Sequence, residues 1–198
     1  MVIYDESCRG WPWLTQSWEV GSALARARGC TDATAGFTGW AEAIEWLAGR
    51  AEAGPIGEVQ FWGHGKWGEV FFARDALDAS ALDDQHPLHE GLARIRRAMN
   101  DQSRWWFRSC ETFGARRGQT FARRWVDFFG CEAVGHTFII GPWQSGLHRL
   151  RPGRSPDWDP REGLLEGDAE APRRAAWSRA WRPNTVFCLR MDVPADLG

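Results

Sequence analysis

Two short aromatic runs, each following an amphipathic segment, constrain most strongly how this chain can fold. The first run, residues 59–62, stops at a Gly-His-Gly turn that contains His64, and the second, residues 105–108, stops just before Cys110. Aromatic and β-branched residues favour strands, and glycine favours the turn that ends one. Because strands that alternate with helices form parallel sheets, the two runs are predicted to be parallel strands of one sheet.

The remaining pattern has the same alternation. Apolar positions at helical spacing predict three amphipathic helices, over residues 37–48, 88–100 and 121–129, the last closed by Gly130 as a C-cap. Further strands are predicted over residues 1–5, 69–73, 133–140 and 185–191. The other segments are predicted to be irregular: 6–35 apart from a short helix at 20–27, the acidic stretch 75–87, and 142–183 apart from short helical pieces near 173–179. The fold class predicted is α/β, a three-layer α/β/α sandwich with a mostly parallel central sheet.

Composition limits the function classes. A chain of 198 residues predicts a single domain over 1–198, and a formal charge of −2 with interleaved acidic and basic residues argues against nucleic acid as a partner. The N-terminus lacks the pattern of a signal peptide, and no apolar run approaches the length of a membrane span. Five cysteines without a C-x-x-C pair indicate reduced thiols, so the expected location is cytoplasmic, with no membrane partner.

His64 and Cys110 carry the chemistry that the sequence suggests. Each follows a predicted buried strand, and the carboxyl ends of parallel strands meet at one edge of a sheet, where ligands bind. The chain thereby resembles the caspase-like superfamily of cysteine peptidases, in which one apolar strand ends in His-Gly and a later one in a small residue followed by cysteine. Here Cys110 lies 46 positions after His64, close to the spacing of about 50 in caspases. The Q-A-C-x-G signature of true caspases is absent, so their specificity does not transfer.

The resemblance implies a caspase-like fold and a cofactor-free cysteine endopeptidase acting on a protein or peptide, with no metal. Cys110 would be the nucleophile and His64 the general acid and base, while the amides of Gly65 and Cys110 would form the oxyanion hole. The segment 142–183 would be a long loop on the substrate side. A regulatory partner protein is compatible with this assignment.

The residues beside the proposed nucleophile leave two alternatives for the preferred P1 residue of the substrate. The resemblance places Asp5, Glu111, Trp143 and Ser145 beside the substrate, the last two in a segment that would pair with its backbone. Acidic groups favour a basic P1 residue, whereas Arg9 and Arg108 nearby would favour an acidic one. Trp143 is equally compatible with a role as a loop anchor.

Other functions use the same residues differently. A catalytically silent module of this fold would hold a peptide or protein through its tryptophans, of which the chain has 14. An acyltransferase would use the same thiol. His136 is predicted to be a core or edge residue rather than a third catalytic group, and a zinc site of His64, Cys110 and His136 lacks the usual ligand spacing.

Overall fold

A computed structural model describes residues 1–8 and 14–195. The elements in chain order are β1 (Val2–Asp5), α1 (Leu14–Ala27), β2 (Thr34–Phe37), α2 (Trp40–Ala53), β3 (Glu58–Trp62), β4 (His64–Lys66), β5 (Glu69–Phe72), β6 (Asp75–Asp78), a 3-10 turn (Ala79–Leu82), α3 (His89–Arg97), β7 (Arg104–Arg108), α4 (Ala115–Phe129), β8 (Glu132–His136), β9 (Trp143–Gln144), β10 (Leu147–Leu150), β11 (Leu164–Gly167), β12 (Pro172–Ala175) and β13 (Val186–Phe187).

Six of these strands form a central sheet in the order β10-β8-β7-β3-β1-β2. Every neighbouring pair in this sheet is parallel except β10 with β8, which is antiparallel. β3 and β7 are direct parallel neighbours, paired from Glu58 with Arg104 to Trp62 with Arg108. The predicted α/β class with a mostly parallel sheet is therefore confirmed, as is the pairing of the two aromatic runs.

Both faces of the sheet are covered, which explains why its central strands are apolar almost throughout. On one face, α2, α3 and α4 pack on alternate residues such as Val59, Phe61 and Phe107. On the other face, Tyr4 and Trp62 pack against Trp18 of α1 and against Met191. The second outer layer thus consists of α1 and the C-terminal segment.

Helix α4 shows how aromatic residues stabilise this core. Phe121, Trp125 and Phe129 are spaced by four and are buried. The Trp125 ring meets those of Trp105 and Phe107 edge-on, with both centroids 5.2 Å away. Each such aromatic pair adds roughly 0.5–1.5 kcal/mol beyond the burial of its area. Gly130 ends the helix with φ at 65° and donates its amide to the Val126 carbonyl, so the predicted C-cap is confirmed.

The N-terminal third holds more structure than predicted. α1 begins at Leu14 rather than near residue 20, and β2 was not predicted. The helical pattern of α1 is weak because two of the residues it buries are the polar Thr15 and Ser22. Phe37, predicted to begin a helix, instead ends β2, an edge strand that is only half buried and so lacks a clear apolar alternation.

Two regions predicted as loops contain strands. Asp75–Asp78 forms β6, which pairs antiparallel with β5 in a three-stranded sheet with β4. The side chain of Asp75 accepts the Trp40 amide at the start of α2, at 2.6 Å. The long segment 142–183 contains β9 to β12, including β10, the antiparallel edge of the central sheet. Most of 142–183 lies outside these short strands, as predicted, but the strands themselves were not predicted, and 173–179 begins in β12 rather than in a helix.

The last two predicted strands are shorter than expected. β8 ends at His136 rather than at residue 140, because the Thr137 and Ile139 amides donate to the carbonyls of Gly146 and Ala176. Of residues 185–191 only Val186–Phe187 form a strand, β13, which pairs with β9 outside the central sheet. Within residues 1–8 and 14–195, no helix combines the length and the apolar character needed to cross a membrane.

Candidate functional site

The ends of β3 and β7 bring His64 and Cys110 to the same edge of the sheet. Trp62 and Arg108 are paired in register, and His64 and Cys110 each lie two residues further along the chain. The turns that follow are joined by hydrogen bonds. The Trp67 amide donates to the Glu111 carbonyl at 3.1 Å, and the Gly68 amide donates to the Thr112 carbonyl at 2.8 Å.

Gly65 lies against the turn that carries Cys110. A Cβ atom at residue 65 would lie 2.2 Å from the Thr112 hydroxyl oxygen and 2.8 Å from the Cys110 carbonyl oxygen. Both distances are far below van der Waals contact, and the second obstacle is backbone that cannot rotate away. Glycine is therefore required for the segment after His64 to pack on Cys110.

The Cys110 side chain is largely enclosed by its neighbours at this edge of the sheet. It is only partly exposed, and its Sγ lies 4.0 Å from the carbonyl oxygen of Ile140. Burial, followed by the nearby Glu111 carboxyl group, raises the pKa of the Cys110 thiol to about 12. Cys110 is therefore a neutral thiol near pH 7 in this conformation.

His64 contacts a different cysteine. Its Nε2 lies 3.1 Å from the Sγ of Cys8, and the Trp18 ring meets the imidazole edge-on at 5.8 Å. Cys8 also donates to Oδ2 of Asp5 at 3.6 Å. Burial and the charge of Asp5 raise the pKa of the Cys8 thiol. The side chains of Asp5, Cys8 and His64 thus form one polar cluster beside the Cys110 turn.

Two acidic candidates for substrate binding lie in different surroundings. The Asp5 carboxylate is fully buried and holds local structure, since Oδ1 accepts the Ser7 amide at 2.8 Å and Oδ2 accepts the Ala73 amide at 3.3 Å. Glu111 is 7% exposed, and its Oε2 has no hydrogen-bond partner within the described residues. Burial raises the pKa of Glu111 to about 7, against an opposing effect of Lys66.

The two candidates on the 142–146 segment also differ. Trp143 is 43% exposed and meets the ring of Phe187 at 5.3 Å. Ser145 is fully buried, with its hydroxyl 2.7 Å from that of Thr185 and its amide donating to Ser178 Oγ at 2.9 Å. Trp143 therefore faces solvent, whereas Ser145 fixes the loop from inside.

His136 is fully buried at the end of β8. Its Nδ1–H donates to the Ser145 carbonyl at 3.1 Å, and burial lowers its pKa to about 3. The side chain is a neutral interior imidazole, in keeping with its predicted core position. It takes no part in the cluster of Asp5, Cys8 and His64.

Cys8 is the residue that sequence reasoning missed. β1 ends at Asp5 and is the direct parallel neighbour of β3, with Tyr4 paired to Trp62. Its carboxyl end therefore lies at the edge that carries His64, and Cys8 follows three residues later. Like Cys110, Cys8 therefore follows the carboxyl end of a parallel strand at this edge, a position that the sequence alone indicates.

The chain was compared with models of protein families, with curated proteins and with solved structures, and none of the three comparisons gives a match.

Proposed function

We propose that this protein is a caspase-like cysteine endopeptidase in which Cys110 is the nucleophile and His64 the general acid and base. The observation that carries the proposal is the register of β3 and β7, from which His64 and Cys110 follow at the same offset. The close packing of Gly65 on the Cys110 carbonyl supports it, because it joins the two segments into one rigid edge.

The chemistry begins from a protonated thiol. Because burial holds the pKa of Cys110 near 12, His64 must accept the thiol proton as sulfur attacks the scissile carbonyl carbon. The resulting imidazolium donates that proton to the leaving amine, and the C–N bond breaks to leave a thioester on Cys110. Water, deprotonated by His64, then attacks the thioester and releases the acid, and the proton returns to the thiolate.

The amide of Gly65 is suited to bind the oxyanion. Lys66 and Glu69 flank a two-residue turn and form a register pair, which in such hairpins exchanges hydrogen bonds. The next pair, Gly65 with Val70, is then of the type without hydrogen bonds. The Gly65 N–H is therefore expected to point away from β5 and to be available, with the Cys110 N–H, to a developing negative charge.

Glu111 supports a preference for a basic P1 residue. It adjoins the nucleophile, and its buried Oε2 has no hydrogen-bond partner among the residues the structure describes, a state that a cationic side chain would relieve. Asp5 offers less, because its two oxygens already accept amide hydrogens. The basic preference therefore depends mainly on Glu111.

The proposal is tested by selective labelling. A peptide chloromethyl ketone with P1 arginine should alkylate Cys110 at least about 100-fold faster than Cys30, which is exposed. His64→Ala should slow this labelling and abolish peptide cleavage, and Cys110→Ser should abolish both, whereas Cys30→Ser should leave both unchanged. Equal labelling of Cys110 and Cys30 would refute the proposal.

A second candidate is a catalytically silent module that binds a peptide or protein. The observation that favours it is a set of exposed aromatic side chains on the 142–187 segment: Trp143, Trp177, Trp181 and Phe187. Binding of a partner unchanged by Cys110→Ser, together with no cleavage across a peptide library, would select this candidate over the peptidase.

A further inference from the structure

Three different metal-binding groups, one of them the His64 imidazole, lie close together at this edge of the sheet. The thiol of Cys8, the imidazole Nε2 of His64 and a carboxylate oxygen of Asp5 all lie within 4.8 Å of one another. The sulfur lies 3.1 Å from the His64 nitrogen and 3.6 Å from Asp5 Oδ2. The groups come from segments 56 residues apart, so the fold rather than local sequence brings them together.

These separations are close to those around a tetrahedral zinc ion. Bonds of about 2.3 Å to sulfur and about 2.0–2.1 Å to nitrogen and oxygen put sulfur about 3.5–3.6 Å from each of the other ligand atoms, and nitrogen about 3.3 Å from oxygen. The Sγ–Oδ2 distance of 3.6 Å agrees with this geometry. The Sγ–Nε2 distance of 3.1 Å is shorter by roughly 0.4 Å, and the nitrogen and the carboxylate oxygen, which lie within 4.8 Å of each other, would approach each other on binding the ion. A thiolate and an imidazole favour zinc over magnesium or calcium, which prefer sites made of oxygen.

The ligand positions are fixed by their neighbours. Asp5 is fully buried, and the Ser7 and Ala73 amides orient its carboxylate, as the outer-shell partners of metal ligands do. His64 begins β4 and is held by pairing with Phe71 of β5. Cys8 is half buried, which leaves a side from which an ion and a water ligand can enter.

We propose that Asp5, Cys8 and His64 bind one Zn²⁺ ion, and that the bound ion inhibits the protein by occupying His64. The Cys8 thiol releases its proton to solvent when the sulfur binds the metal. Coordination at Nε2 uses the lone pair of the imidazole and leaves Nδ1 protonated, so the ring can no longer accept a proton from Cys110. The inhibitory part rests on the proposed function, whereas the metal site does not.

Metal binding is measured first, without any substrate. Purified full-length protein, stripped with a chelator, should bind one Zn²⁺ per chain by calorimetry, and Co²⁺ should give a thiolate-to-metal charge-transfer absorption. Cys8→Ser removes a direct ligand, so it should weaken Zn²⁺ binding at least about 100-fold, whereas loss of an outer-shell partner typically weakens metal binding about 10–100-fold. Cys8→Ser should also abolish the cobalt absorption band. Zn²⁺ should also raise the melting temperature of the wild type but not of Cys8→Ser.

Two matched variants separate this site from other thiols. Cys30→Ser removes an exposed cysteine, and Cys110→Ser removes the proposed nucleophile, which does not belong to the cluster. Both should bind Zn²⁺ as tightly as the wild type. Zinc affinity that survives Cys8→Ser, or that falls equally in Cys110→Ser, would overturn the proposed site.

Inhibition is measured by the rate at which the peptide electrophile labels Cys110. Zn²⁺ should slow labelling of the wild type at least about 10-fold, a chelator should restore it, and Cys8→Ser should be insensitive. If Zn²⁺ binds through Cys8 but Cys110 shows no selective reactivity, the peptidase proposal fails and the metal site stands. If Cys110 is selectively labelled but no Zn²⁺ binds, the metal proposal alone fails.

Discussion

The amide of Trp67 donates a hydrogen bond to the carbonyl of Glu111 at 3.1 Å, and both residues have left-handed backbone conformations, with φ of 38° and 34°. Such conformations cost non-glycine residues roughly 1–2 kcal/mol each. Here they occur together where the turn after His64 meets the turn after Cys110. The surrounding packing must hold both conformations, so this junction is expected to be sensitive to small changes.

Gly65→Ala tests that junction. The added methyl would overlap the Thr112 hydroxyl and the Cys110 carbonyl, so we expect a loss of roughly 1–3 kcal/mol in the free energy of unfolding. Cys110 labelling should fall as well, since the two segments must separate. Urea denaturation and the labelling assay measure these effects.

Gly49→Ala is the control for that substitution. Gly49 is exposed within α2, and apart from its chain neighbours and the helix's own backbone, no atom of the described residues lies within 4 Å of the position a Cβ would take. Alanine there should stabilise the protein by roughly 0.5–1 kcal/mol because it favours the helix. Equal destabilisation by both substitutions would show that the Gly65 contact is not the cause.

Glu111→Gln should change how stability depends on pH. The folded pKa of Glu111, about 7, lies above its ordinary value of 4.5, so the folded protein binds the proton more tightly. Glu111 therefore makes the wild type less stable as pH rises from 4.5 to 7. The variant should lack this loss. The difference in the free energy of unfolding between variant and wild type should therefore shift in favour of the variant by on the order of 3 kcal/mol from pH 4 to pH 8. Denaturation curves at several pH values will measure the difference, and parallel pH profiles would contradict it.

The sequence was sufficient to predict the centre of the sheet. The runs 59–62 and 105–108 are apolar on both faces because helices cover one side and α1 with the C-terminal segment covers the other. β2, β6 and β10 were missed because they lie at edges, where half-exposed strands such as Leu147–Leu150 mix polar and apolar residues.

The contact of Cys8 with His64 could be predicted only in part. The position of Cys8 after the end of β1 indicates that it lies at the same edge as His64. Which cysteine the imidazole contacts depends instead on the turn in which Asp5 accepts hydrogen bonds from Ser7. The turn formed by residues 5–8, rather than the strand pattern, decides the partner of His64.

His136→Gln should change the pH dependence in the opposite direction. The folded pKa of His136, about 3, lies below its ordinary value of 6.5, so only the unfolded chain binds the proton between these values. His136 therefore destabilises the wild type as pH falls below 6.5, by up to about 1.4 kcal/mol per pH unit. His136→Gln should lose less stability between pH 6.5 and 4.5 than wild type in the same denaturation series. A steeper acid loss in the variant would contradict this assignment.

Arg108→Lys should loosen the C-terminal segment over the sheet. The guanidinium is 4% exposed, donates to the carbonyls of Cys188 at 2.5 Å and Arg190 at 3.0 Å, and lies 4.5 Å from the Trp106 ring centroid. A lysine ammonium cannot make these divergent bonds and stack on the ring at once. We expect the free energy of unfolding to fall by roughly 2–4 kcal/mol, and amide hydrogen exchange to become faster across residues 186–193.

Arg154→Lys is the matched control for that change, since Arg154 is exposed, and it should leave stability and exchange unchanged. Because Arg108 lies two residues before Cys110, loosening its bonds should also slow selective labelling of that thiol. Unchanged exchange over 186–193 in Arg108→Lys would show that the segment is held by its apolar contacts, such as Val186 and Val193 against Trp106, rather than by the buried cation.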